Sequence, residues 1–307
     1  MKIGLVSIMG NVGSTTNSQG GGYGLIATRM IKDKNSQDEV VANPPPSEWH
    51  AFDKLYVCEG VNFVEGSFNV PGGPQPLHRE KMTAMGNFKG EIAFVNQRFD
   101  FAGFNKRLKI EGLSFPDGPV ENTFLEHNAK RCVIGDSHAL SVWSPGWSLD
   151  FTAGRTLHGF LKRNTPEQIN EKYEETITYF GNIDLRFHLM RQPDPIQATV
   201  DLFNRYVEFS QKLNNNTVIG LLPVEHESRK LPGTGLYKGE KFFGSREQRM
   251  AIRETAHNVL RMAGVDLWEW PQEWIDEDGT KMLDILEMKQ SVHLKPKHYM
   301  FGSLFIH

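Results

Sequence analysis

The sequence predicts an α/β protein in which parallel strands alternate with helices across two successive domains. Three observations carry that expectation. Short apolar runs such as Cys132-Val-Ile-Gly135 and Thr217-Val-Ile-Gly-Leu-Leu222 are continuous rather than alternating, as strands covered on both faces are. The segments between the runs carry helical periodicity and helix-start signals, and strand-helix alternation implies a parallel sheet with helices on both faces. At 307 residues the chain has the length of one large or two ordinary domains. The turn-rich stretch Ser114-Phe-Pro-Asp-Gly-Pro119, followed by Glu121 to Lys130, supplies a boundary near residue 128, giving domains 1–128 and 129–307.

In the first domain Ile3 to Met9 reads as a buried strand, followed by a glycine-laden loop from Gly10 to Gly24 and a helix from Leu25 to Lys34. Glycines let backbone N–H groups approach an anion at a helix N-terminus. There is no Gly-Lys-Ser/Thr ending, however, and Gly20, Gly21, Gly22 and Gly24 lack dinucleotide spacing, so the loop reads either as a phosphate or sugar-nucleotide cradle or as a surface loop. Pro44-Pro45-Pro46 marks a break. Lys54-Leu-Tyr-Val-Cys58 and Glu91-Ile-Ala-Phe-Val-Asn96 are further strands, and Glu59 to Pro76 between them is a loop of a length that is often functional. The pattern of Lys2-Ile-Gly-Leu5, then Phe52-Asp-Lys-Leu-Tyr-Val57 before a Gly-rich segment, then a strand, resembles the amino-terminal Rossmann-like half of two-domain glycosyltransferases of the phage DNA-glucosylating kind. That resemblance implies a smaller Rossmann-like α/β domain and brings no catalytic residue with it.

The second domain is more regular. Leu149-Asp-Phe-Thr-Ala153 reads as a strand ending at Gly154, and Ile177-Thr-Tyr-Phe-Gly181 as the next. Thr165-Pro-Glu-Gln168 combines a Thr N-cap, Pro at the first helical position and Gln three residues after the cap. Ile196, Val200, Phe203 and Val207 fall on one helix face. Thr217 to Leu222 is a strand ended by Pro223. A second capped helix begins at Ser245 with Gln248 and carries the apolar stripe Ile252, Ala256, Val259, Leu260 and Ala263. Val265-Asp-Leu-Trp268 is the last strand.

Composition excludes several classes. Hydrophobic residues make up 39% and charged residues 23%, a soluble globular composition. A net charge of −3 gives no strong pull on nucleic acid, so such a partner is not expected, although a local basic patch stays open. No apolar run approaches a membrane span, and Met1 to Met9 lacks the features of a secretory signal. Cys58 and Cys132 lie in apolar strand contexts, which favours buried thiols in a reducing compartment over a disulfide or a Cys-based zinc site. A cytoplasmic protein is expected. His158, His226 and His298 have no spaced acidic or Cys partners, so no metal and no diffusible cofactor is expected. The oligomeric state is not legible.

The chemistry is expected around Gly135-Asp-Ser-His138, where an apolar strand stops in a glycine and a small nucleophile at the carboxyl edge of a sheet. Taken alone, the triplet is ordinary turn chemistry. In order along the chain follow a glycine after the next strand, Gly154; then Gly181-Asn-Ile-Asp184; and finally Ser291-Val-His-Leu-Lys-Pro-Lys-His-Tyr299. These blocks, over roughly residues 130–300, resemble those of the SGNH (GDSL-like) hydrolases. The resemblance implies a flavodoxin-like parallel-sheet domain, with Ser137 as nucleophile, His293 as its base, and oxyanion donors at Ser137 N–H, Gly154 N–H and an Asn of the third block.

Two positions depart from the family pattern. Ile183 stands where the third-block Asn is expected, with Asn182 one position earlier, and Gln290 stands where the final block has an Asp three residues before its His. Asp284 or Glu287 could replace that carboxylate, or a Ser-His dyad could work without one. Asp136, His138, Asp184, Arg186, His188 and Trp143 are the expected substrate-binding residues. Asp184, Arg186 and His188 would share one face if the chain is extended there. Arg186 then reads either as a bidentate ligand for a carboxylate or phosphate or as the partner of Asp184 in an ion pair. Trp143 and Trp147 read as a stacking platform or as packing, Trp268, Trp270 and Trp274 as packing, and Glu225 to Gly244 as a lid or a surface loop.

The leading expectation is an SGNH-like serine esterase or acyltransferase acting on an acyl ester, with a small-molecule or glycan substrate, through an acyl-enzyme on Ser137. The alternatives are a two-domain glycosyl or other group transferase using a nucleotide sugar, and a catalytically degenerate binding protein.

Overall fold

The computed structural model describes residues 1–7, 26, 28–29, 31–32, 36–58, 76–94, 120–122, 130–144, 146–152, 154–223, 242–275, 280–286 and 292–299. The chain divides into two compact units, Met1–His127 and Asn128–His307. Among the described residues no helix is long and apolar enough to cross a membrane.

The first unit holds β1 (Lys2–Val6), β2 (Glu39–Ala42), β3 (Lys54–Val57), β4 (Glu91–Phe94) and β5 (Val120–Asn122), with helix α1 (Pro76–Asn87) between β3 and β4. Every pairing in its five-stranded sheet is parallel, in the order β2-β1-β3-β4-β5. This is the 2-1-3-4-5 order of flavodoxin-like doubly wound sheets, an α/β arrangement as expected. Its core gathers Val6, Trp49, Phe52, Leu55, Val57, Met82, Met85, Phe88 and Ile92. The buried Lys81 of α1 donates from Nζ to the Ser7 carbonyl at 2.7 Å, tying the helix to the carboxyl end of β1. Of the expected helix from Leu25 to Lys34, the described residues Ile26, Thr28, Arg29, Ile31 and Lys32 are helical. The loop from Gly10 to Gly24 and residues 59–75 lie outside the described residues.

The second unit repeats this order. Strands β6 (Arg131–Gly135), β7 (Ser148–Phe151), β8 (Glu175–Tyr179), β9 (Asn216–Ile219) and β10 (Asp266–Trp268) form a parallel sheet in the order β7-β6-β8-β9-β10. The helices are α2 (Leu157–Arg163), α3 (Pro166–Asn170), α4 (Asn182–Phe187), α5 (Pro195–Ser210), α6 (Arg246–Met262) and α7 (Thr280–Ile285). Both predicted capping boxes form: Thr165 with Gln168 opens α3, and Ser245 with Gln248 opens α6. Each box satisfies two helix-end N–H groups within four residues, which is why the signal is legible locally.

The packed faces differ from the expected stripes. Ile196 is 45% exposed, whereas α5 buries Phe203 and Val207 as expected, together with Leu202, Tyr206 and Phe209. Helix α6 buries Ile252, Ala256 and Leu260 as expected, but also Arg249, Arg253 and His257. The core around these helices includes Ile134, Phe160, Phe180, Leu185 and Val218, with the Phe160 and Phe180 rings stacked at 4.4 Å. The Cys132 thiol is buried, and burial pushes its pKa up to about 12, so it is an inert packing group.

Candidate active site

Strand order places the site. The chain leaves β6 for β7 on one side and later returns to β8 on the other, so the carboxyl ends of β6 and β8 flank the switch point where open α/β sheets hold ligands. At the end of β6, Gly135 lies so close to β8 that an added Cβ would sit 2.5 Å from the Tyr179 carbonyl oxygen and 2.8 Å from the Ala139 Cβ. Asp136 follows, fully buried, as N-cap of the 3-10 turn Ser137–Val142, its Oδ1 accepting from the His138 backbone N–H at 2.8 Å. Ser137 is therefore the first residue of that turn, and it is half-buried.

His293 arrives from the far end of the sequence. An antiparallel bridge between Leu286 and Leu294, with Lys295 N–H donating to the Ile285 carbonyl at 2.9 Å, holds its segment to the end of α7. The outcome is a contact of 2.7 Å between His293 Nε2 and Ser137 Oγ. Gln290 and Glu287 lie outside the described residues, and Asp284 is exposed, with its backbone carbonyl accepting from Lys295 Nζ.

Behind this pair sits a buried polar cluster. His138 Nδ1 lies 2.8 Å from Asp136 Oδ1, while Nε2 lies 3.1 Å from the Val292 carbonyl and 3.3 Å from Arg186 Nη1. Burial holds the His138 imidazole below its usual pKa; Asp136 opposes that shift, and Arg186 and His293 reinforce it. The three side chains are at most 3% exposed. The expectation that Asp136 and Arg186 contact substrate is thus corrected: Asp136 caps the nucleophile turn and pairs with His138, and Arg186 points into the same cluster. His138 likewise supports the turn from beneath.

The third block also differs from its expected form. Gly181 adopts φ +101°, and residues Asn182–Phe187 form helix α4 rather than an extended segment, so Asp184, Arg186 and His188 do not share a face. Asp184 is buried and accepts from the N–H groups of Leu157 (2.7 Å) and His158 (3.4 Å), satisfying the start of α2. Burial raises its carboxyl pKa against those two bonds. It therefore serves the start of helix α2. Asn182 is also buried, its Oδ1 accepting from Leu222 N–H at 3.0 Å, which ties α4 to the end of β9.

Trp143 is fully buried and donates from its indole to the Trp147 carbonyl at 2.7 Å, so the proposed stacking platform is packing. Trp270 is packing as well, donating to the Gly220 carbonyl at 3.0 Å. Gly154 lies exposed, with φ +73°, in the turn after β7, the strand that pairs with β6 at Gly135. His188 lines a separate cavity of about 450 Å³ together with His158, Asp184, Gln192, Asp201 and Arg205. That cavity was not foreseen, because it is assembled from α2, α4 and α5, which share no local motif. The Val292 carbonyl, a backbone atom, gave no sequence signal at all. Among the described residues no group of His, Cys, Asp and Glu could hold a metal ion, and residues 224–241, which include most of the expected lid, lie outside them.

No protein-family model and no curated protein matches the chain. Solved structures do. The chain is similar to GDSL-type lipolytic proteins. One is a Desulfitobacterium hafniense DCB-2 protein assigned to the G-D-S-L lipolytic family, 14% identical, TM-score 0.39, with 55% of this chain and 92% of that one covered. A second is a GDSL-like lipase from Bacteroides thetaiotaomicron VPI-5482, 15% identical, TM-score 0.37, with 60% and 93% covered. A third is Est24, a carbohydrate acetylesterase from Sinorhizobium meliloti, 12% identical, TM-score 0.35, with 55% and 92% covered.

Proposed function

We propose that the second unit is a serine esterase or acyltransferase acting on an acyl ester, with Ser137 as nucleophile and His293 as general base. The observation that carries this reading is the 2.7 Å contact between Ser137 Oγ and His293 Nε2 at the sheet's switch point. As Oγ attacks the acyl carbonyl, His293 Nε2 takes the hydroxyl proton. Collapse of the tetrahedral adduct breaks the bond to the alcohol, which leaves with that proton, and the acyl group stays on Ser137. Water or an acceptor hydroxyl, deprotonated by the same ring, then attacks the acyl-enzyme, and the reverse proton transfer frees Ser137. The candidate oxyanion donors are the backbone N–H groups of Ser137 and Gly154, each of which would contribute about 3 kcal/mol in a preorganised hole.

The proposed substrate class is an acylated carbohydrate. The test compares hydrolysis of aryl acetates and of acetylated glycosides by the wild-type chain and by Ser137→Ala. Activity lost in the variant supports the mechanism, and a higher kcat/KM for the glycosides supports the substrate class. A folded wild-type protein that hydrolyses neither contradicts the mechanism and favours a binding role.

A further inference from the structure

We infer that His138 is the positioning residue for His293, holding the base in place through the carbonyl of Val292. This rests on the reading of Ser137 and His293 as nucleophile and base. In a Ser-His-Asp triad a carboxylate behind the base fixes its ring. Three residues before His293 this chain has Gln290, which cannot carry that charge. The base segment is nevertheless pinned on both sides. Beyond His293, Leu294 bridges to Leu286, and Lys295 N–H bonds to the Ile285 carbonyl. Immediately before it, the Val292 carbonyl meets His138 Nε2 at 3.1 Å.

His138 is suited to this task because it is itself immobilised. It is 3% exposed, it belongs to the same 3-10 turn as Ser137, and its other nitrogen is fixed by Asp136 Oδ1 at 2.8 Å. Its ring lies 5.0 Å from that of His293, and Tyr179 stands edge-on to it at 6.0 Å. One buried side chain thus joins the nucleophile turn to the peptide that carries the base, two segments 154 residues apart. Asp136 Oδ1 and Val292 O both accept. The contact with Val292 O is a hydrogen bond in the tautomer that carries its hydrogen on Nε2.

The two edges of the ring can be tested separately. Glutamine at 138 reaches as far as Nε2 and offers an N–H to Val292 and an oxygen to Arg186; asparagine reaches only the Asp136 side; phenylalanine fills the space with neither. Kinetics on an aryl acetate, with active sites counted by fluorophosphonate titration and folding checked by circular dichroism, distinguish them. His138→Phe and His138→Asn are expected to lower kcat about 100-fold at unchanged KM, with His138→Gln within about tenfold of wild type. If the Phe variant fails to fold, the Asn and Gln pair decides. A folded Phe or Asn variant with kcat within about threefold of wild type overturns the inference, and so does a Gln variant as slow as Asn. A wild-type chain that neither labels nor hydrolyses overturns the underlying reading, and the inference with it.

Discussion

Ser137 and His293 stand 156 residues apart in the sequence and 2.7 Å apart in space, Oγ to Nε2. The first belongs to the turn that closes β6, and the second to a segment clipped against α7, so the pair exists only once the second unit is folded.

Removing the base should leave substrate binding largely intact. His293→Ala is expected to lower kcat on aryl acetates about 10⁴-fold with a small change in KM. Steady-state kinetics on the purified variant checks this, and a loss below about tenfold would assign the base elsewhere.

Gly135→Ala places a methyl group 2.5 Å from the Tyr179 carbonyl, between two paired central strands that have little room to part. Overpacking of this kind costs about 1–3 kcal/mol. Urea unfolding should show the midpoint falling with an unchanged slope.

His257 gives the second unit an acid-labile element. It is fully buried, accepts from Leu221 N–H at 2.9 Å, and its pKa is lowered to about 4, chiefly by burial. The unfolded chain therefore takes up this proton near pH 6.5 and the folded chain only near pH 4, so stability falls as pH drops through that window and the loss is complete below it. The contribution is on the order of 3 kcal/mol. Glu269, whose pKa is lowered mainly by Arg261, adds loss in the same direction at lower pH. His257→Gln should flatten the thermal-midpoint profile between pH 6.5 and 4; an unchanged profile would show that His257 is not its source.

Trp143→Phe separates packing from stacking. Loss of the indole bond to Trp147 should lower stability by about 1 kcal/mol and leave KM for any acetylated substrate unchanged. A raised KM with full stability would restore a substrate-facing role.

What the sequence revealed was what is chemically complete within a few residues. The boxes at Thr165 and Ser245 are of that kind, and so is the strand that ends in Gly135-Asp-Ser-His138. The proximity of Ser137 and His293 was expected only through the family that the ordered blocks resemble. Contacts between distant side chains were not. Arg186 looks like an anion ligand in an alternating polar run, yet Gly181 at φ +101° starts a helix there, and the guanidinium turns inward to His138, 48 residues away. Trp143 beside a Pro-Gly turn resembles a platform until its burial is known. Strand order in the first unit was likewise hidden: Glu39–Ala42 and Val120–Asn122 are short and carry polar residues, so the sheet's two edge strands gave no apolar run to read.

The central claim is that Ser137 is a nucleophile activated by His293, and covalent labelling tests it most directly. Intact-mass measurement after exposure to a fluorophosphonate should show one adduct per chain, mapped by peptide sequencing to Ser137, absent in Ser137→Ala and greatly slowed in His293→Ala. A folded wild-type protein that forms no adduct, or one whose adduct maps elsewhere, would contradict the account.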